Sequence, residues 1–456
     1  MTYLSNRMDR YKYHVGPCMS MVYDVLVSWN PWWDEGEVPR RFLGLPRDIT
    51  GELYPWLERQ TIVSLLGVRR SGKTTVLYQL IQMLLDDGVP PANVLFVDME
   101  DPRLGDVNVG DVLSAYRRGS GPRGRTYVLL DEVQASEAWE LWLKVEYEQK
   151  KNVALVVSGS SSSLVRGELA TSLTGRTATF HIHPLSFREF LSFRDVRLDE
   201  EVGSDRDDIA IHQMEAYLEL GGFPEVVIGG PSASAATLDR YYDAILYRDI
   251  VRPHGVDPRK LESLTGHLLA GIGSSHTLRS LSKATGLSVD TVKTYTWHME
   301  EALLVRRVDQ LSYKTKPKAK ERMGTKWFCV DTGLRNAVVN RHSPDTGTLA
   351  ENVVHAELVR RKASVRYWTN HHEVDFVVGT LMGPLTPVNV SYGDPVPPRE
   401  LEGLDEFRSY SRAKVTDPLL LTKDAWGKDG DVQKLPVWRW LLGEGPSLEG
   451  ARGLPG

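Results

Sequence analysis

Gly67-Val-Arg-Arg-Ser-Gly-Lys-Thr74 is a complete GxxxxGK[ST] phosphate-binding loop, and its surroundings decide the fold. An apolar run from Thr61 to Leu66 precedes it. A stretch with helical spacing follows, carried by Val76, Leu77, Leu80, Ile81, Met83 and Leu84. Strand, loop and helix in that order are the context the motif requires. Gly67 and Gly72 let the backbone wrap closely around an anion, faced by the loop amides and the positive end of the helix. Lys73 then reaches the β- and γ-phosphates of ATP and Thr74 offers its hydroxyl to Mg²⁺, with Arg70, Ser71 and Thr75 completing the nucleotide contacts.

Working outward, apolar β-forming runs at 61–66, 93–98, 126–131, 153–158 and 177–182 alternate with helix patterns that include 73–86 and 137–150. That alternation predicts an α/β fold with a parallel sheet covered on both faces by helices. The third run, Tyr127-Val-Leu-Leu-Asp131-Glu132, ends in two carboxylates. Asp131 at such a strand end holds Mg²⁺, and Glu132 is placed to orient or deprotonate an attacking water. An ordinary strand entering an acidic turn has the same pattern, but its register with Gly67–Thr74 favours hydrolysis. The fourth run ends in Ser158-Gly-Ser-Ser, where Ser158 or Ser160 senses the γ-phosphate or, equally well, caps a helix starting near Leu164. Leu173-Thr-Gly-Arg176 adds an arginine just outside the sheet. Such a residue is either a surface cation or a stabiliser of transition-state charge, in cis or across a subunit boundary.

The chain has 456 residues, which calls for two or three domains. With 41% apolar and 25% charged residues it has the composition of a soluble globular protein, and a formal net charge of −5 excludes a surface built throughout for polyanions. Cys18 and Cys329 are far apart and lack metal-ligand spacing, which suits a reducing, cytoplasmic setting. No apolar run approaches the ~20 residues of a membrane span. Residues 19–29 faintly resemble a signal peptide, but Asp24 interrupts the run, so a structured N-terminal segment is expected.

Taken together these residues resemble the AAA-type ATPases of archaea and bacteria that carry a C-terminal domain of unknown function 4143. The resemblance covers about residues 45 to 425. Beyond the blocks already quoted it rests on Leu129–Gln134, Pro184–Leu191, Gly221-Gly-Phe-Pro-Glu225 and Tyr247-Arg-Asp-Ile250. It continues through Phe328–Leu334, Leu349–Val353 and Glu373-Val-Asp-Phe376. The resemblance implies a P-loop ATPase sheet, a helical lid, a winged helix and a restriction-endonuclease-like α/β domain, with Arg176 acting as an arginine finger. The expected division is an N-terminal extension over 1–50, the P-loop core over 51–200, the lid over 201–275, the winged helix over 276–340, the nuclease-like domain over 341–430 and a tail over 431–456.

Composition and pattern add detail to these parts. The acidic stretch 199–208 reads as a solvated linker or loop. Leu278, Leu281 and Ala284 form one helix stripe, Gly286 makes a turn, and Ser288 caps a second helix bearing Asp290, Thr291, Lys293 and Thr294. Between the presumed wing strands, Lys314, Lys316, Lys318, Lys320, Arg322 and Lys326 suggest a flexible basic loop able to neutralise phosphates, or simply a solvated one. Metal-dependent nucleases of the resembled fold need two metal carboxylates and a lysine after an upstream Glu. Glu351 and Asp375 match, but Asn389-Val390-Ser391 supplies neither the second carboxylate nor the lysine, which argues against nuclease activity. His371-His372-Glu373 reads as a solvated hairpin turn or a transition-metal ligand set. The expected function is therefore Mg²⁺-dependent ATP binding and hydrolysis that drives a conformational switch, with a protein partner or further copies of the chain. The alternative is an ATP-regulated DNA-binding protein acting through the winged helix and the 314–326 loop.

Overall fold

The computed structural model describes residues 19–149, 152–160, 175–198, 204–312, 323–339, 345–380 and 383–449. Five strands, β1 (Ile62–Leu66), β2 (Val94–Asp98), β3 (Thr126–Asp131), β4 (Val153–Gly159) and β5 (Thr177–His181), form a sheet in the order β2-β3-β4-β1-β5. All four pairings are parallel. Every residue of β1 is buried, as a strand covered on both faces must be. Helix Lys73–Asp86 turns Val76, Leu77, Leu80, Ile81 and Leu84 onto one face of this sheet.

The N-terminal segment seals the β2 edge. An exposed edge strand offers unpaired backbone groups to other chains. Here the Asn30 side chain both donates to Phe96 O and accepts from Phe96 N, each at 2.7 Å. The indole N–H groups of Trp32 and Trp33 both donate to Val94 O. The tryptophans thus bury their rings while their polar atoms remain paired.

Helices Ser204–Leu220, Pro224–Gly229 and Pro231–Ala244 follow the sheet, and a wider π-helical turn over Ile245–Val251 leads into Arg252–His254 and Pro258–Ala270. Residues 204–208, expected in a linker, are instead the first turns of Ser204–Leu220; acidic residues there suit the positive helix N-terminus. Helices Leu278–Thr285 and Val289–Glu301 pack together beside a small antiparallel sheet of β6 (Ser275–His276), β7 (Val305–Asp309) and β8 (Thr325–Cys329), ordered β6-β8-β7. Of the expected stripe, Leu281 is buried while Ala284 faces solvent.

The C-terminal sheet contains β9 (Val365–Thr369), β10 (Glu373–Gly379), β11 (Leu385–Ser391), β12 (Leu419–Thr422), β13 (Gly427–Asp429) and β14 (Val432–Pro436), in the order β13-β14-β12-β11-β10-β9. Strand β14 lies inside that sheet, and Trp438 and Trp440 of the following helix are fully buried. Residues 431–441 are therefore core rather than tail. Their apolar residues need the whole sheet as a partner, which no local pattern reveals.

Four histidines, two buried and two half-buried, make this fold acid-sensitive. Burial, with some help from Arg306, holds His355 down to about 3, and its ring stacks on Phe328 at 4.4 Å. Burial also lowers His181 and His298 to about 4 and His183 well below its ordinary value. An unfolded chain takes up a proton on each below about pH 6.5, whereas the folded chain does not until far lower. Stability is thus complete above that pH and declines through the window between 6.5 and the folded values. His355→Phe should flatten the decline between pH 6 and 4 by about 1.4 kcal/mol per pH unit in denaturant titrations. An unchanged slope would remove His355 from the account.

Candidate nucleotide site

The loop Gly67–Thr74 joins the carboxyl end of β1 to helix Lys73–Asp86. Gly72 caps the helix at φ 97°, a left-handed conformation that disfavours side chains. At Gly67 a Cβ would come within 2.3 Å of Ile182 O, so only glycine lets the loop pass the neighbouring backbone. Ser71 is fully buried and its Oγ has no partner, an orphaned polar atom inside the loop. Arg70, also at positive φ, is exposed and lies over the Tyr241 ring at 5.8 Å. Thr75 is half-buried.

Parallel pairing of β1, β4 and β3 carries the other expected residues to the same sheet end. Thr74 Oγ1 donates to Asp131 Oδ2 at 2.5 Å, and the fully buried Ser158 donates to Asp131 Oδ1. Ser160, two residues further on, is also buried. Lys73 Nζ donates to Gly67 O at 3.1 Å and lies 3.4 Å from Glu132 Oε1. Glu132 adopts φ 44°, its N–H reaches Ser158 Oγ at 3.2 Å, and its Oε2 accepts from Gln134 at 2.6 Å. Burial pushes the Glu132 carboxyl up, but Lys73, Gln134 and Arg69 outweigh it and hold the group ionised. Burial and the neighbouring Glu132 raise Asp131. An orphaned Ser71 hydroxyl, a loop that admits only glycine, and hard oxygen ligands at Thr74 and Asp131 fit a nucleotide with Mg²⁺.

Three further groups belong to the site. Asp98 pairs in register with Asp131 across β2 and β3, and burial lifts it to about 6, reinforced by Asp131. Two parallel strands each ending in Asp were the available signal. Arg47 had no such signal. From the N-terminal segment it donates to Ser71 O and His183 O at 2.8 Å each and pairs with the buried Glu189, so it braces the loop from below. Arg69 pairs with Asp249 at 3.1 Å and with Glu100 at 3.4 Å, which links the loop to the π-helical turn.

Arg176 is elsewhere. It precedes β5, its carbonyl accepts from Ile62 N at 2.9 Å, and its guanidinium pairs with Glu148 at 3.2 Å. Ile62 begins β1 while the loop follows its end, so roughly 13 Å of strand separates Arg176 from the phosphate loop. The cis reading of this arginine fails on reach. Leu173 and Thr174, like Ser161–Ser163, lie outside the described residues.

Lys326, expected in a flexible basic loop, is instead on β8 with its side chain 1% exposed. Its Nζ lies 2.6 Å from Glu373, 3.3 Å from Asp375 and 4.0 Å from Glu351. A lysine from another sheet thus lies among these carboxylates. Asn389 takes the adjoining place, its Nδ2 donating to Glu400 at 3.1 Å, while Asp375 Oδ2 accepts from Val390 N. The ammonium fills the space between carboxylates where a cation would sit. The other cations of that stretch, Lys314, Lys316, Lys318, Lys320 and Arg322, lie outside the described residues. His371 and His372 occupy the turn between β9 and β10, where both hydrogen-bond Glu406 at 3.1 Å. Among the described residues, no helix is long and apolar enough to cross a membrane.

Residues 59–191 match the family described as an AAA domain, 211–345 a domain of unknown function (DUF8612), and 346–435 a domain of unknown function (DUF4143). An uncharacterized protein of Haemophilus influenzae is 30% identical over 410 residues, covering 86% of this chain and 96% of that one. An uncharacterized protein of Methanocaldococcus jannaschii is 25% identical over 429 residues, covering 90% and 93%. Among solved structures, a Walker-type ATPase of Pyrococcus abyssi is similar over 66% of this chain and 97% of that chain, with 13% identity and a TM-score of 0.44. The Aeropyrum pernix Orc1 protein in complex with DNA is similar over 67% and 95%, with 14% identity and a TM-score of 0.31. Its phosphate-binding loop at the head of a five-stranded parallel sheet, its AAA and DUF4143 segments in series, and its near full-length match to the Haemophilus influenzae protein together mean that this chain belongs to the AAA-type P-loop ATPase family with a C-terminal domain of unknown function 4143.

Proposed function

We propose that the chain hydrolyses ATP in a Mg²⁺-dependent manner and that its nucleotide state moves the lid. The observation that carries this reading is the meeting of Thr74, Asp131 and Ser158 beside Lys73 and Glu132 at one sheet end. Loop amides and Lys73 bind the phosphates, and Asp131 and Thr74 hold the cation. Mg²⁺ there would neutralise charge on the transferred phosphoryl group. Glu132, kept ionised by Lys73 and aimed by Gln134, accepts a proton from the attacking water. Ser158, bonded to both Asp131 and the Glu132 amide, couples the two carboxylates. Arg69 supports the switch: a change in the loop reaches Asp249 through a pair whose side chains are only 14% and 4% exposed. The chain then comprises a P-loop core, lid, winged helix and nuclease-like platform.

Lys73→Ala should abolish ATP binding measured by calorimetry with the full chain. Retained affinity would overturn the nucleotide reading. Arg176, one-third exposed at the far sheet end, is suited to a neighbouring subunit's phosphates. Arg176→Ala should therefore recover wild-type turnover when mixed with Glu132→Gln subunits that supply the arginine. No recovery would remove the trans role.

The second reading, an ATP-regulated DNA-binding protein, draws on the exposed face of helix Val289–Glu301, where Asp290, Lys293, Thr294 and Trp297 face solvent. Lys293 alone neutralises little phosphate charge, so this reading depends on the basic residues 314–322. Duplex retardation that vanishes when those cations are neutralised would favour it.

A further inference from the structure

One set of metal-ligating side chains, far from the nucleotide loop in sequence, stands out among the described residues. His254, His298 and Glu301 bring ligand atoms within 4.8 Å of one another. His254 closes helix Arg252–His254 at the end of the π-helical turn, whereas His298 and Glu301 lie three residues apart on helix Val289–Glu301. That spacing puts both on one helix face. His298 Nδ1 is 3.9 Å from Glu301 Oε2, with the two side chains only 9% and 7% exposed. This Nδ1 has no hydrogen-bond partner. A buried ring nitrogen without a partner carries a desolvation cost that a ligand at this spot would relieve.

From this geometry we infer that His254, His298 and Glu301 form a Zn²⁺ site that fastens the lid to the helix Val289–Glu301. Two imidazoles and a carboxylate suit a borderline ion, and three protein ligands leave a fourth position for water. Zinc bonds of about 2.0–2.2 Å require ligand atoms nearer than those here, so the trio must contract by roughly 1 Å. The movement falls on His254, which is exposed. Its ring now stacks on His298 at 3.7 Å, with the ring faces rather than the nitrogens opposed, and turning it aims a nitrogen at the shared point. The competing histidines, His371 and His372, already bond Glu406 and Glu402.

The test uses the full chain, stripped with chelator and titrated with Zn²⁺ at pH 7.5 in competition with a fluorescent zinc chelator. One Zn²⁺ per chain is expected. His254→Gln, a surface change that preserves the fold, should weaken binding more than about 100-fold, the upper range for losing a mere outer-shell partner. The double variant His371→Gln/His372→Gln should bind like wild type. Co²⁺ in place of Zn²⁺ should show the visible bands of a tetrahedral site, absent in His254→Gln. No uptake by wild type, or uptake that His254→Gln leaves intact, overturns the inference. Loss of binding only in the His371/His372 variant overturns it as well.

Discussion

Glu132→Gln is expected to lower ATP turnover about 10²- to 10⁴-fold, the usual worth of a positioned general base. ATP affinity should be largely retained, because the amide keeps the shape of the side chain and its one loop contact, with Lys73 at 3.4 Å, is left with an oxygen to meet. The geometry makes the carboxylate the right group. It sits just beyond β3 in a left-handed conformation, held by Gln134 at 2.6 Å and by Lys73 at 3.4 Å. A residue other than glycine at positive φ is uncommon and costs energy, and such strain gathers at functional sites. Glutamine keeps one accepting oxygen but cannot take up a proton. Steady-state phosphate release alongside nucleotide binding separates the two effects. Equal turnover in wild type and variant would remove Glu132 from catalysis while leaving the nucleotide site standing.

Lys326→Met is expected to destabilise the chain by about 3–5 kcal/mol, the cost of removing one partner from a buried ion pair. Methionine nearly matches the lysine in bulk, so little of the loss comes from a cavity. The loss is electrostatic: Glu373, Asp375 and Glu351 keep their positions without the ammonium 2.6 to 4.0 Å away. Glu351 already has its carboxyl raised well above the ordinary range, first by burial and then by Asp375. In the variant the Glu351 carboxyl loses the lowering effect of Lys326 and rises further, so its unfolded counterpart releases the proton more readily. Stability then improves as pH falls toward the raised folded value of Glu351, the reverse of the trend set by the histidines. Urea midpoints from pH 8 to 5 measure this. Millimolar Mg²⁺ should raise the variant's midpoint and not that of wild type, since the vacated position is lined by oxygen ligands. A variant within 1 kcal/mol of wild type, with no pH reversal, would show that the ammonium does not carry the cluster.

Much of the nucleotide site was legible because its parts are contiguous or strand-terminal. Gly67–Thr74 is one segment, and Asp131 and Ser158 each end a run whose period marks a strand. Parallel pairing then aligns those ends without further information. Asp98 ends the run at 93–98, and the same rule sets it beside Asp131, so its place in the site was equally legible. Lys326 went the other way. Six cations in a short stretch suggested a solvated loop, yet Thr325–Cys329 pairs with both β6 and β7, and the Lys326 side chain points into a neighbouring sheet. Composition reports the average surroundings of a segment, and a single buried charge escapes it. The tail assignment failed for a related reason: Trp438 and Trp440 are buried by distant elements, including Arg361, whose guanidinium lies over the Trp440 ring at 4.1 Å.

The amino-acid sequence alone determined the α/β class, the phosphate loop, the strand ends that face it and the family, because each depends on spacing within short segments. Backbone periodicity is a local property, and so is a phosphate loop. Only the tertiary structure decided which charges meet. Arg47 finds Glu189 across 142 residues, Arg69 finds Asp249 across 180, and Lys326 finds Asp375 across 49. A buried charge needs a partner of opposite sign at contact distance. Which partner it receives depends on how the helices over 204–270, the small antiparallel sheet and the C-terminal sheet close on one another, and that closure leaves no periodic trace in the chain.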